Sequence, residues 1–322
     1  MQPAAQVLPV APPQGVFATI AGSLSGVLVA PSAMLIPVLT DLFLWLGVRL
    51  SPAALTGVVS DAVRHVESLD RETALRVTDR LSTFGDITPV IALFAPSLLA
   101  GVTEDSVQRS WQRAEYQPAS AALVALELIG LLIVSVGISA IFRVWLAREI
   151  RSSSQTLSAL VPEIVRAWAR YLGFMVLVVI AVLAAIPVLA AVAALMLILG
   201  LNVGPMLILL VIPPVLLVAL LLAFVPDAIV LRRVGPIRAA LLSAQVVRRH
   251  MLPSLGFLAV SALTLSGLSL VLSSFLANTV GVVTAIVIYG FVTTGLTRAQ
   301  LQFFFDRLST PRKDGAITAT VR

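Results

Sequence analysis

Cysteine is absent from the 322 residues, histidine occurs only at His65 and His250, and the only lysine is Lys313. Without cysteine the chain has no disulfide, no thiolate metal site and no thiol nucleophile. The two histidines are too far apart for an H-E-x-x-H zinc site, and neither G-x-S-x-G nor a P-loop occurs. Asp61 and His65 stand four apart on a predicted helix, but they are two metal ligands without a third. No cofactor or metal is expected, and no enzymatic activity. Charge is also scarce. Charged residues make up 12% of the chain, against ~25% in soluble domains. Such a composition excludes an ordinary soluble enzyme.

What the chain has is oil. Hydrophobic residues make up 59%, and the mean hydropathy is +1.02. Apolar runs long enough to cross a hydrocarbon core ~30 Å thick predict an all-α, polytopic helical membrane protein with about six transmembrane helices. The predicted spans are 32–48, 121–142, 172–199, 205–225, 252–277 and 280–296, inside a single membrane domain at 15–308. Residues 1–14, rich in proline and alanine, are expected to be disordered, and 309–322 form a polar tail. Before the first span, Ala18, Gly22, Gly26 and Ala30 recur every fourth residue, a spacing that lets another helix approach closely. This stretch reads as a short immersed helix leading into the span, or as a further crossing. Pro187 is expected to kink the third span, and Pro213 with Pro214 to bend the fourth.

The polar insert 49–120 is read as amphipathic helices. Val59, Ala62, Val63, Val66 and Leu69 share one face, a second helix follows Asp70, and a third starts near Thr103. Its apolar stretch at 88–101 is too short to span and holds Pro89 and Pro96, so it is interfacial or re-entrant.

The basic residues give an orientation. Segment 143–170, the loop after the fourth span and the tail from Arg298 carry five each. The insert carries seven, balanced by nine acids, and the turns near Asn202 and Asn278 carry none. A basic excess marks the cytoplasmic side, so both termini are expected there, in a plasma membrane. No basic residue precedes Arg49, so no cleavable leader is expected. The net charge of +6 lies in loops bordering apolar runs. The expected partners are therefore membrane lipids with anionic headgroups, not nucleic acid; a protein partner or a second copy stays open. A weak repeat aligns EIVRAWARYLGFMVLVVI (163–180) with VVRRHMLPSLGFLAVSAL (246–263), suggesting units of a lead helix plus a hairpin.

The loop after the fourth span reads PDAIVLRRVGPIRAALLSAQVVRRH. Pro236 suits the first turn of a helix. Ile237, Ala240, Leu241, Ala244, Val247 and Met251 form an apolar stripe, with Arg238, Gln245 and Arg249 opposite. Such a helix lies in the interface plane, so Arg232, Arg233, Arg238, Arg248 and Arg249 are candidate lipid-headgroup contacts. The alternative is a helix that only anchors the topology. Pro226, Asp227, Gly235, Pro236, Ile237, Ala239, Ser243 and Arg248 resemble the signature of six-helix bacterial integral membrane proteins related to the membrane domain of glycerophosphoryl diester phosphodiesterases. Residues 36–51 are similar to the first span of stand-alone relatives. Arg238 departs from the acid common in that family, and Ala244 from its tryptophan. The resemblance implies a helical membrane fold and no activity, because the family's phosphodiesterase chemistry lies in a separate domain.

Asp41 and Glu127 are the acids inside predicted spans, each ~10 Å below the outer surface at 1.5 Å per residue. Buried carboxylates of this kind suggest function, here a shared proton on a transport pathway; alternatively each is neutral or bonded to Thr40 or Arg49. Glu163, Arg166 and Arg170 share a helical face, where an ion pair is expected. Small polar residues from Ser266 to Ser273 and from Gly290 to Thr294 are read as helix-packing positions.

Overall fold

The computed structural model describes residues 15–64, 86–98, 114–151, 157–199, 203–276 and 278–309. The expectations for 1–14, for the helices beyond Arg64 and near Thr103, and for the tail lie outside these residues. The chain is an all-α polytopic membrane protein. Ten α-helices carry the described chain: α1 Val16–Val29, α2 Leu35–Leu46, α3 Ala53–Arg64, α4 Ala121–Ile150, α5 Leu157–Ile198, α6 Val203–Leu222, α7 Val225–Arg232, α8 Pro236–Arg249, α9 Met251–Ser273 and α10 Thr279–Ser309.

Five helical stretches are long and apolar enough to cross a membrane, and the bent pair at the N-terminal end makes a sixth if it counts as one. In that pair α1 meets the segment Pro31–Leu46 at 93°. A 3-10 turn, Pro31–Met34, makes the corner, with Pro31 in its first turn. The predicted first span is thus shorter than expected, with only 12 residues of α-helix in α2. The stripe that α1 buries is Thr19, Ser23 and Val27. Ala18 and Gly22, expected at the contact, are exposed. Thr19 can take the inner position because its hydroxyl donates to the Gly15 carbonyl at 3.1 Å, leaving no orphan polar group. Gly26 does meet a neighbour, the guanidinium of Arg298.

The spans between the basic segments differ from expectation at their ends. α4 runs unbroken to Ile150, past the predicted end at Phe142. α5 is a single helix of 42 residues with Pro162 and Pro187 inside it. In the second repeat unit His250 separates α8 from α9, so the two units share a motif but not a break. Asn278 caps α10, its side-chain oxygen accepting from Gly281 N–H at 2.7 Å.

One end of the bundle gathers α7, α8 and the basic ends of α4, α5 and α10. There Phe224 stacks between Phe303 and Phe304, centroids 5.6 and 5.9 Å away, and Phe257 lies 4.8 Å from Phe303. This plug and the side chains around it form the main core. Outside it the helices turn apolar side chains outward, as a bilayer solvent allows: none of the apolar window of α5 is buried. At the opposite end the insert is tied at its base. β1 (Arg49–Leu50) pairs in parallel with β2 (Glu115–Tyr116), a two-residue ladder that the sequence did not suggest.

Gly290 of α10 lies against α2. A Cβ at this position would stand 2.8 Å from Val38 Cγ2. Gly290→Val is expected to destabilise by about 1–3 kcal/mol through overpacking, read as a lower unfolding midpoint in detergent. An unchanged midpoint would show that α2 does not dock there.

Candidate functional site

Asp41 is fully buried on α2. Its partners come from the insert: Ser97 Oγ donates at 2.5 Å, and the Leu98 N–H reaches both carboxylate oxygens at 3.0 and 2.9 Å. The stretch 86–98 therefore does not span. It makes a 3-10 turn at Thr88–Leu93 and packs into the bundle, with Ile91, Ala92 and Ala95 against Leu44. Ser135 of α4 donates to the Ile91 carbonyl at 2.6 Å. Thr40 bonds within its own helix, to the Ile36 carbonyl. Arg49 faces Asp86 at 4.0 Å, so neither alternative partner predicted for Asp41 engages it.

Glu127 does not join Asp41. Among the described residues its Oε2 is buried without a hydrogen-bond partner. No hydrogen bond between described residues links the two acids that the sequence suggested as a pair.

The acid read as part of a basic loop is instead the centre of the basic end. Asp227 is fully buried on α7. It forms an ion pair with Arg143 of α4 and accepts from Gln300 of α10 at 2.8 Å. Tyr171 of α5 donates to the neighbouring Pro226 carbonyl at 2.9 Å. Ser243 of α8 bridges the break before α7, donating to the Leu221 carbonyl at 2.6 Å and accepting from Phe224 N–H at 3.1 Å. Three helices thus meet at one carboxylate, and Tyr171 and Ser243 tie α5 and α8 to the backbone beside it. The sequence signal was three polar residues, Arg143, Asp227 and Gln300, each at the basic end of an apolar run.

Glu163 does not bond Arg166 as expected. It pairs with Arg151 at 2.7 Å and with Arg233 at 3.1 Å, while Arg166 Nε donates to the Pro162 carbonyl. Arg233 can reach back because it ends α7 in the left-handed conformation, φ 53°. Of the five predicted headgroup arginines it is the one with an acid among the described residues. Arg232, Arg238, Arg248 and Arg249 are exposed, and none has a carboxylate partner among the described residues.

α8 also turns differently from the predicted stripe. Its buried face is Ala239, Ser243, Val246 and Val247, whereas Ile237 and Leu241 are 65% and 67% exposed. The small residues pack because the Ser243 hydroxyl must reach the α6–α7 break, which rotates Ile237 and Leu241 outward. Where α8 ends, burial and then the guanidiniums of Arg307 and Arg249 push the His250 imidazole below its usual range.

No protein-family model, no curated protein and no solved structure matches this chain.

Proposed function

We propose that the chain is a non-catalytic scaffold or accessory component of a plasma membrane, with both termini cytoplasmic and its basic end seated on anionic lipid headgroups. One observation carries this reading: the acids near that end are engaged, Asp227, Glu163 and Glu149 in ion pairs and Asp306 by Gln302, while Arg232, Arg238, Arg248 and Arg249 stay exposed and without a carboxylate partner among the described residues. Each such arginine adds about 1 kcal/mol near an anionic leaflet. The likeness of the α7–α8 segment to a six-helix membrane family supports the same placement without adding an activity.

Gentle solubilisation followed by lipid mass spectrometry tests the proposal. The protein should carry more anionic lipid than the bulk membrane, and changing all four arginines to glutamine should lower the enrichment. Co-purifying lipid of bulk composition would overturn it. Orientation is tested separately in the cysteine-free chain. A membrane-impermeant thiol reagent outside the cell should label Asn278→Cys and spare Arg238→Cys; the opposite pattern would reverse the topology.

A transport role would need Asp41 and Glu127 to open into a common polar cavity. The scaffold is favoured because Ser97 and Leu98 already occupy both Asp41 oxygens. If Asp41→Asn with Glu127→Gln abolished an ion flux seen with the wild type in proteoliposomes, transport would take its place.

A further inference from the structure

The loop from Arg233 to Pro236 passes α5 at Gly173, where a Cβ would lie 3.6 Å from Pro236 Cγ. The loop divides the surface of α5 in two. On the basic side is a small pocket lined by Glu163, Arg166, Arg170 and Arg233, with Ile229 and Val230 behind them. Arg151 and Arg233 share the carboxylate of Glu163. Arg166 and Arg170 have no carboxylate partner among the described residues, so the pocket keeps an excess of positive charge.

On the other side α5, α6 and α8 enclose a groove of about 360 Å³ whose lining side chains are all apolar, among them Phe174, Leu177, Val218, Leu221, Ile237 and Leu241. Along α5, Arg170, Phe174, Leu177 and Ala181 follow one another at three- and four-residue steps, so they lie on one stripe. A molecule following that stripe passes from guanidinium to hydrocarbon within two turns.

We infer that this surface holds one anionic phospholipid, its phosphate on Arg166 and Arg170 and an acyl chain in the α5–α6–α8 groove. In a membrane the groove can be filled by an acyl chain or by another helix. A helix with its side chains is ~10 Å across, whereas the volume lies near the low end of small-ligand sites, ~300–1,000 Å³. The unpaired guanidiniums at its head select a negative headgroup. The inference rests on the lipid reading above. It moves the tight contact from the outer face of α8 to α5.

The test uses the full chain in nanodiscs of phosphatidylcholine doped with phosphatidylglycerol, counting phosphatidylglycerol retained on the released protein by native mass spectrometry. One retained molecule is expected. Arg166→Gln with Arg170→Gln should weaken it about thirtyfold, at about one kcal/mol per arginine. Ala240→Trp, which fills the groove, should abolish retention; if that variant does not fold, Ala181→Phe on the opposite wall gives the same block. Arg238→Gln with Arg249→Gln should leave the retained molecule in place. Retention that ignores the α5 and groove variants, or that is lost only with Arg238 and Arg249, would overturn the site while leaving the wider headgroup reading intact. So would a second copy of the chain found cross-linked into the groove. Absence of any retained phosphatidylglycerol on the wild type would overturn it too.

Discussion

Asp227→Ala is expected to destabilise the protein by about 3–5 kcal/mol, because it leaves the Arg143 guanidinium without its counter-charge at a largely buried site. The Arg143 side chain is 18% exposed and that of Asp227 fully buried. Gln300 and Tyr171 bring two further helices to the same point, so the loss should be felt across the basic end. The double replacement Arg143→Met with Asp227→Leu removes both charges. It should recover most of the stability, since apolar pairs of similar volume often match a buried ion pair. Unfolding of Arg143→Met, Asp227→Leu and the double variant in mixed detergent micelles, followed by circular dichroism, completes a double-mutant cycle. If the two single losses simply add, the pair is not coupled and Asp227 is no hub.

The second large effect is expected at the other acid. Asp41→Ala removes the acceptor of Ser97 and of the Leu98 N–H. Hydrogen bonds to a charged group contribute about 1.5–3 kcal/mol each, so the stretch 86–98 should come loose while the helices stay. The chain's lack of cysteine makes this measurable. Ala95 is 4% exposed, and a cysteine placed there should react slowly with a maleimide. In the Asp41→Ala background the reaction should be about a hundredfold faster, the factor for a shift of about 2.7 kcal/mol. Equal rates would mean that Asp41 does not hold the strap.

The architecture was legible because a bilayer imposes length and composition on every crossing. The apolar runs that became α4, α5, α9 and α10 could be read from residue order alone, as could the short connection at Asn278. What stayed hidden is what depends on rotation and depth. Nothing local says whether α8 buries Ile237 or Ala239; the decision lies with Ser243 reaching a backbone break 22 residues away. The suggested meeting of Asp41 with Glu127 has no hydrogen bond between described residues behind it. Equal depth on two helices does not bring side chains together, and one of the partners Asp41 does have is a backbone N–H, which carries no sequence signature. Asp227 was visible but misplaced, because a boundary drawn at the end of an apolar run left it outside, while the short helix α7 beyond the break buries it. Ser97 left a fainter trace, as a hydroxyl between Pro96 and Leu98 in an otherwise greasy stretch.

The unbroken α5 has a consequence for how the protein meets its solvent. Forty-two helical residues measure about 63 Å at 1.5 Å per residue, roughly twice the ~30 Å of hydrocarbon available. If Arg166 and Arg170 sit at the phosphates as proposed, the helix from Tyr171 onward still overshoots, and it must lean or draw thicker bilayer around itself. Thinning the bilayer should therefore increase the lean of α5, whereas α9, 23 residues long, is already close to matched.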